Sequence, residues 1–117
     1  MDVLINVIGS NQPATPGGLR TLKSTDLLTA INTNVLTAHV TISHMLPLLE
    51  IGKEKKIINI STSLGSIAYA RQTSFAPIHA YKISKAALNM LTAQYAVDLE
   101  KHSFCVLAIS PGVSAHQ

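Results

Sequence analysis

Three short apolar runs alternate along the chain with two longer segments in which apolar residues recur every three or four positions. The runs cover 3–8, 56–62 and 104–109, and each contains β-branched Val or Ile, as is typical of buried strands. The spaced segments, 25–49 and 80–101, have the period of amphipathic helices, and Pro47 is expected to end or kink the first of them. The order strand, helix, strand, helix, strand predicts an α/β fold with a parallel sheet.

The predicted topology leaves one face of that sheet without a covering layer. Right-handed crossovers between three strands in sequence order place both helices on the same face. The strands nevertheless have the apolar content of strands that are covered on both faces. We therefore expect residues 1–117 to be a single, partial β-α-β-α-β portion of a three-layer, doubly wound domain, whose missing elements are absent or are supplied by a partner.

Composition narrows the class of protein. The chain has 117 residues, of which 47% are hydrophobic and 13% are charged, so it is predicted to form one soluble domain with a single core. It has no apolar run long enough to span a membrane and no basic start, so a cytoplasmic protein without a membrane partner is expected. The net charge is +3, the densest basic run is short, and aromatic residues make up only 4%, which argues against a nucleic-acid partner.

Cysteine and histidine offer no metal site in the sequence. The five histidines are scattered and none lies in a two-histidine ligand motif, so no metal is predicted. The single cysteine, Cys105, excludes an internal disulfide bond. Because it lies in the apolar run 104–109, we expect it to be a core residue rather than a reactive thiol.

Tyr81 and Lys85 are the first candidates for chemistry. They are four positions apart near the start of the second predicted helix, so their side chains share one face. A fixed ammonium beside a phenol favours the phenolate and lowers the pKa of the phenol, which suits a general acid or base. The same spacing also fits a pair on a solvated helix face, and the spacing alone does not separate the two interpretations.

Five short elements, in one order along the chain, resemble the motifs of the short-chain dehydrogenase/reductase family. One of them, 81–89, is similar to the family's Tyr-x-x-x-Lys segment. The others are Asn6-Val7-Ile8-Gly9, Asn34-Val35, the segment 58–66, and Pro111-Gly112-Val113. The resemblance covers nearly the whole chain and is greatest to the carbonyl-reductase-like members. It implies a Rossmann-type fold.

The resemblance implies a role for each matching residue. Tyr81 would be the proton donor to a carbonyl oxygen, or the base in the reverse direction, and Lys85 would bind the nicotinamide ribose and lower the pKa of Tyr81. Thr62 or the adjacent Ser63 would hold the substrate oxygen. Asn34 would hold a water of the proton relay, although a buried asparagine that satisfies helix backbone is the alternative. The cofactor-binding set would be completed by Asn6, Gly9, Ile60, Pro111, Gly112 and Val113.

The implied function is NAD(P)-dependent reduction of a small-molecule carbonyl, or oxidation of an alcohol, with NADP slightly favoured over NAD. Val7 and Ile8 depart from the family motif, and no Gly-x-Gly-x-x-Gly turn is present, so we expect the isolated chain to bind no nicotinamide cofactor saturably. Two alternatives stay open. The chain is a catalytically inactive, truncated relative that dimerises as a homo-oligomer through its two long helices, or it is an incomplete gene model.

Overall fold

The computed structural model describes residues 1–7, 17–60 and 79–109, and within these ranges the strands form one parallel sheet. The strands are β1 (Val3–Asn6), β2 (Lys56–Ile60) and β3 (Cys105–Ile109), and their order in the sheet is β1-β2-β3. Ile58 pairs with Ile5 on one side and with Leu107 on the other. The predicted parallel sheet in sequence order is confirmed.

The first long helical segment is continuous but not uniform. It consists of α1 (Ser24–Ile31), a π-helical turn (Asn32–Leu36) and α2 (Thr37–Glu50). Of the two effects expected of Pro47, an end of the helix is wrong, because α2 continues to Glu50 with Pro47 inside it, whereas a kink stays a prediction. A proline so near the end of a helix removes a single backbone donor, and only about one helical turn follows it.

The second predicted helix is α3 (His79–Leu99), followed by a 3₁₀ turn (Glu100–His102) that leads into β3. A second 3₁₀ turn, Gly18–Thr21, precedes α1. Ser103 joins the turn to β3 with a left-handed backbone, φ 65°. The Glu100–His102 turn and Ser103 connect α3 to β3, which runs parallel to β2.

Both helices pack on the same face of the sheet. α2 contacts β1 and β2, and α3 contacts β3. The residues of the main core are buried and come from both helices and from the sheet: Ile42, Leu49, Ile57, Leu99, Phe104 and Val106. Leu88 of α3 is also buried, so it is a core residue. Full burial of a side chain such as Leu49 contributes about 1.5–3 kcal/mol.

The opposite face of the sheet is apolar and is not covered by any of the described elements. Side chains alternate along each strand, and those at Val3, Ile5, Leu107 and Ile109 are 39–56% exposed. The expectation that Cys105 is a core residue is wrong, because it is exposed. Its neighbour Val106 faces the helices, so the period of two turns Cys105 toward the uncovered face.

The turn before β2 is held by the carboxylate of Asp2. Its Oδ1 accepts hydrogen bonds from the backbone N–H groups of Lys53, at 2.6 Å, and Glu54, at 3.4 Å. These two bonds lower the pKa of the Asp2 carboxyl below its ordinary value of 3.8. The bonds join the residue before β1 to the turn before β2.

Candidate functional site

Tyr81 and Lys85 lie side by side on the first two turns of α3. The Lys85 Nζ is 5.8 Å from the centroid of the Tyr81 ring, as the spacing of four residues predicts. Lys85 is only 3% exposed, and its Nζ donates a hydrogen bond of 3.4 Å to the carbonyl of Ile60, the last residue of β2. The pair is therefore at the carboxyl end of the sheet, where ligands bind in open α/β folds. It is not on a solvated helix face.

Burial, and not charge, governs the titration of this pair. Burial raises the pKa of Tyr81 above its ordinary value of 10.0, and burial lowers the pKa of the Lys85 ammonium. The expectation that the ammonium of Lys85 lowers the pKa of Tyr81 stays a prediction, because burial is the cause of the raised pKa. Burial removes solvent from the phenolate and so disfavours the charged form of Tyr81. Consequently Tyr81 retains its proton at neutral pH.

Asn34 lies in the π-helical turn and is joined to α3 by hydrogen bonds. Its Nδ2 donates to the Ser84 hydroxyl at 2.7 Å, and that hydroxyl donates to the Tyr81 carbonyl at 2.8 Å. Asn34 and Ser84 are fully buried. The Asn34 Oδ1 is also buried and has no hydrogen-bond partner among the described residues. The π-helical turn thus presents an acceptor oxygen in the interior beside the Tyr81 turn.

Asn6 takes part in a second buried chain of polar side chains. Its Nδ2 donates to the Asn59 Oδ1 at 2.8 Å, and the Asn59 Nδ2 donates to the Thr92 hydroxyl at 2.9 Å. The Thr92 hydroxyl donates in turn to the Leu88 carbonyl at 2.8 Å. These contacts link β1, β2 and α3 on the side of the sheet that faces the helices. The described contacts of the Asn6 side chain hold these elements together.

The described residues bring together Tyr81, Lys85, Asn34 and Ile60 of the predicted site. The remaining predicted residues lie outside the described ranges: Gly9, Thr62, Ser63, Pro111, Gly112 and Val113. The roles of Thr62 and Ser63 as alternatives for the catalytic hydroxyl therefore stay predictions.

Two polar residues of the site region were missed at the sequence level, Ser84 and Asn59. Ser84 is a small hydroxyl residue between Tyr81 and Lys85 on a helix, and Asn59 is an amide at the centre of an apolar strand. A polar residue at a position that the pattern assigns to the interior is a usable signal, because buried polar groups need partners.

The described ranges contain neither a metal site nor a membrane-spanning helix. No group of three or more His, Cys, Asp and Glu side chains is placed so that it could hold a metal ion. None of the described helices is long and apolar enough to cross a membrane.

Sequence comparison relates the whole chain to reductases and dehydrogenases. The family model described as enoyl-(acyl carrier protein) reductase matches residues 1–116. The short-chain dehydrogenase anuI of Penicillium roqueforti is 33% identical over 120 residues, which cover 96% of this chain and 46% of the relative. The short-chain dehydrogenase/reductase AacuF of Aspergillus aculeatus is 38% identical over 88 residues, covering 74% of this chain and 33% of the relative. The chain spans less than half the length of these two relatives.

Solved structures extend the similarity to the fold. The carbonyl reductase Sniffer of D. melanogaster has a TM-score of 0.81 and 29% identity, over 94% of this chain and 47% of that protein. The NADPH-bound carbonyl reductase from chicken fatty liver also has a TM-score of 0.81, with 27% identity, over 96% of this chain and 46% of that protein. The three strands and their helices are therefore part of an α/β Rossmann-type fold, as the sequence predicts.

Proposed function

Because the chain belongs to the short-chain dehydrogenase/reductase family, we propose that it supplies the proton-transfer half of a nicotinamide-dependent carbonyl reductase. The observation that carries this proposal is the contact of Tyr81 with a buried ammonium, that of Lys85, at the carboxyl end of the sheet. A lysine so deeply buried is rare unless it has a specific partner or task. The residue types of this pair suit both a proton donor and a ribose-binding cation.

The polar groups around Tyr81 fit the sugar next to a nicotinamide ring. A ribose carries hydroxyl groups. They accept hydrogen bonds from an ammonium, and they can donate to or accept from the hydroxyl of a phenol. In this proposal Lys85 donates such bonds, and its Nζ also bonds to the carbonyl of Ile60 at 3.4 Å. When bound, the nicotinamide supplies the hydride that reduces a carbonyl carbon. The relative from chicken liver binds NADPH, so NADP is the favoured cofactor, with NAD as the alternative.

Tyr81 is suited to deliver the proton that carbonyl reduction requires. Burial raises its pKa, so the phenol is protonated at neutral pH and donates its proton to the oxygen that becomes an alcohol. The positive charge of Lys85 then stabilises the phenolate left behind. The buried Oδ1 of Asn34 is an acceptor for a water that would return a proton to this region. Thr62 or Ser63 remains the proposed holder of the substrate oxygen.

The test uses the protein as its own gene expresses it and not the isolated residues 1–117, which are expected to bind no nicotinamide cofactor saturably. Oxidation of NADPH, and in parallel NADH, is followed by absorbance with an aromatic aldehyde and a small diketone as probes. Tyr81→Phe is expected to lower kcat by about 10²–10⁴-fold, because it removes the proton donor and little else. Direct titration of each cofactor by calorimetry is expected to give saturable binding in the parent protein and in this variant.

The matched control is Tyr95→Phe, on the same helix. The Tyr95 hydroxyl bonds to His39 Nδ1 at 2.6 Å and lies 3.3 Å from the Ser43 hydroxyl, on the surface between α2 and α3. This variant is expected to retain the parent kcat. Full activity of Tyr81→Phe, an equal loss in both variants, or failure of the parent protein to bind either cofactor would contradict the proposed function.

A further inference from the structure

We propose that Ser84 is a positioning residue, whose hydroxyl fixes both the first turn of α3 at Tyr81 and the orientation of the Asn34 amide. The proposal rests on the proposed function only in giving Tyr81 a catalytic task. The contacts themselves join two segments 50 positions apart in the chain. Ser84 lies between Tyr81 and Lys85 in sequence and is fully buried.

The single proton of the Ser84 hydroxyl determines the direction of the whole hydrogen-bond chain. It is donated to the Tyr81 carbonyl at 2.8 Å, so toward Asn34 the same oxygen can act only as an acceptor. The Asn34 amide must therefore turn its Nδ2 toward Ser84, at 2.7 Å. Its Oδ1 then points away from Ser84, into the position where it is a buried acceptor. Without the hydroxyl, nothing in this contact distinguishes the two orientations of the amide.

The Ser84 hydroxyl also restrains the first turn of α3, which contains Tyr81. Tyr81 is the third residue of a helix that begins at His79, and the first turn of a helix lacks intrahelical partners for its N–H groups. Helix ends open more readily than helix centres. The Ser84 hydroxyl joins this turn to the buried π-helical turn through Asn34. The backbone at Tyr81 is thereby held against a second element.

Thr92 offers an internal comparison on the same helix. Its hydroxyl also donates to a carbonyl one turn back, that of Leu88, and accepts from a buried amide, that of Asn59. Thr92 is 5% exposed and Ser84 is 0% exposed. The two hydroxyls thus make equivalent contacts, but Thr92 is eleven residues from Tyr81, or about 16 Å along the helix axis. A general loss of packing affects both positions alike, whereas positioning of Tyr81 depends on Ser84.

The experiment compares Ser84→Ala with Thr92→Val in the protein as its gene expresses it. Tyrosine rings are labelled with ¹³C, and the signal of Tyr81, assigned with Tyr81→Phe, is followed against pH by NMR. In Ser84→Ala the pKa of Tyr81 is expected to fall toward its ordinary value of 10.0, because a looser first turn admits water. In Thr92→Val the titration of Tyr81 is expected to match that of the parent protein.

Two further variants keep the test decisive. Ser84→Thr restores a hydroxyl and is expected to restore the parent titration. Ser84→Cys, with a group of similar size and weak hydrogen bonding, replaces Ser84→Ala if that variant does not fold, and is expected to shift the pKa in the same direction. An unchanged Tyr81 titration in the variant that folds, or equal shifts at Ser84 and Thr92, would overturn the proposal.

Kinetics then separate this proposal from the proposed function. Loss of positioning is expected to lower kcat by about 10–100-fold with KM nearly unchanged, since the proton donor is displaced and not removed. The NMR titration needs no catalysis. If the titration shifts as expected but Tyr81→Phe stays fully active, the proposed function fails and the positioning of Tyr81 by Ser84 stands.

Discussion

At Tyr81, loss of solvent acts on the phenol more strongly than the neighbouring positive charge does. The ammonium of Lys85 is 5.8 Å from the centroid of the Tyr81 ring and donates a hydrogen bond to the carbonyl of Ile60. A charge lowers the pKa of a phenol steeply only at short range, whereas burial acts on the whole side chain. The residue pair was identifiable from its spacing, but the direction of the pKa change depends on depth, which spacing does not encode.

Asp2 gives a prediction of pH dependence at the same scale. Its folded-state pKa is lowered by two backbone N–H donors, so its contribution to folding is present above the unfolded value and is lost as pH falls through the folded value. We expect Asp2→Asn to weaken the decline in stability between about pH 5 and about pH 2, measured as the urea midpoint. Asp26→Asn, at another exposed carboxylate, is the control and should keep the parent decline. A parent-like decline in Asp2→Asn would contradict the prediction.

At the scale of elements, buried polar side chains determine how helices and strands are joined. The π-helical turn Asn32–Leu36 carries Asn34 toward α3, and the chain from Asn6 through Asn59 to Thr92 joins two strands to the same helix. α3 is therefore held by two amide-to-hydroxyl contacts, at Ser84 and at Thr92, in addition to its apolar face.

Asn59 is the position where this network is most sensitive. We expect Asn59→Leu to lower the free energy of unfolding by about 2–6 kcal/mol, that is about 1–3 kcal/mol for each of the two partners, Asn6 and Thr92, that loses a bond. Equilibrium unfolding in urea measures the change. Asn32→Leu makes the same substitution at an exposed position and is expected to change stability by no more than about 0.5 kcal/mol. Equal effects of the two substitutions would show that the network contributes nothing.

At the scale of the molecule, the sheet is covered on one face only by the described elements. The uncovered face is apolar, with Ile5 56% exposed and Leu107 48% exposed. Monomeric proteins rarely leave such a patch open to solvent. The chain spans less than half the length of two of its relatives, and its being a partial domain stays a prediction.

The reactivity of the Cys105 thiol measures whether that face of the sheet is open to solvent. In the 117-residue chain we expect a disulfide-exchange reagent to modify one thiol per molecule without denaturant, at a rate comparable to that of the urea-unfolded chain, because the side chain is exposed. Cys105→Ser is the control and should not react. Slow modification that accelerates on dilution would identify a second copy as the cover of this face. Slow modification at every concentration would contradict an open face.

The sequence by itself determined the alternation of strands and helices, the parallel sheet, and the pairing of Tyr81 with Lys85. All of these follow from local spacing and from the handedness of crossovers, which are properties of neighbouring residues. The tertiary structure alone decided that Asn34 meets Ser84, that Cys105 faces away from the helices, and that burial raises the pKa of Tyr81. These depend on how segments up to 50 positions apart pack, because only packing sets depth, partners and solvent access.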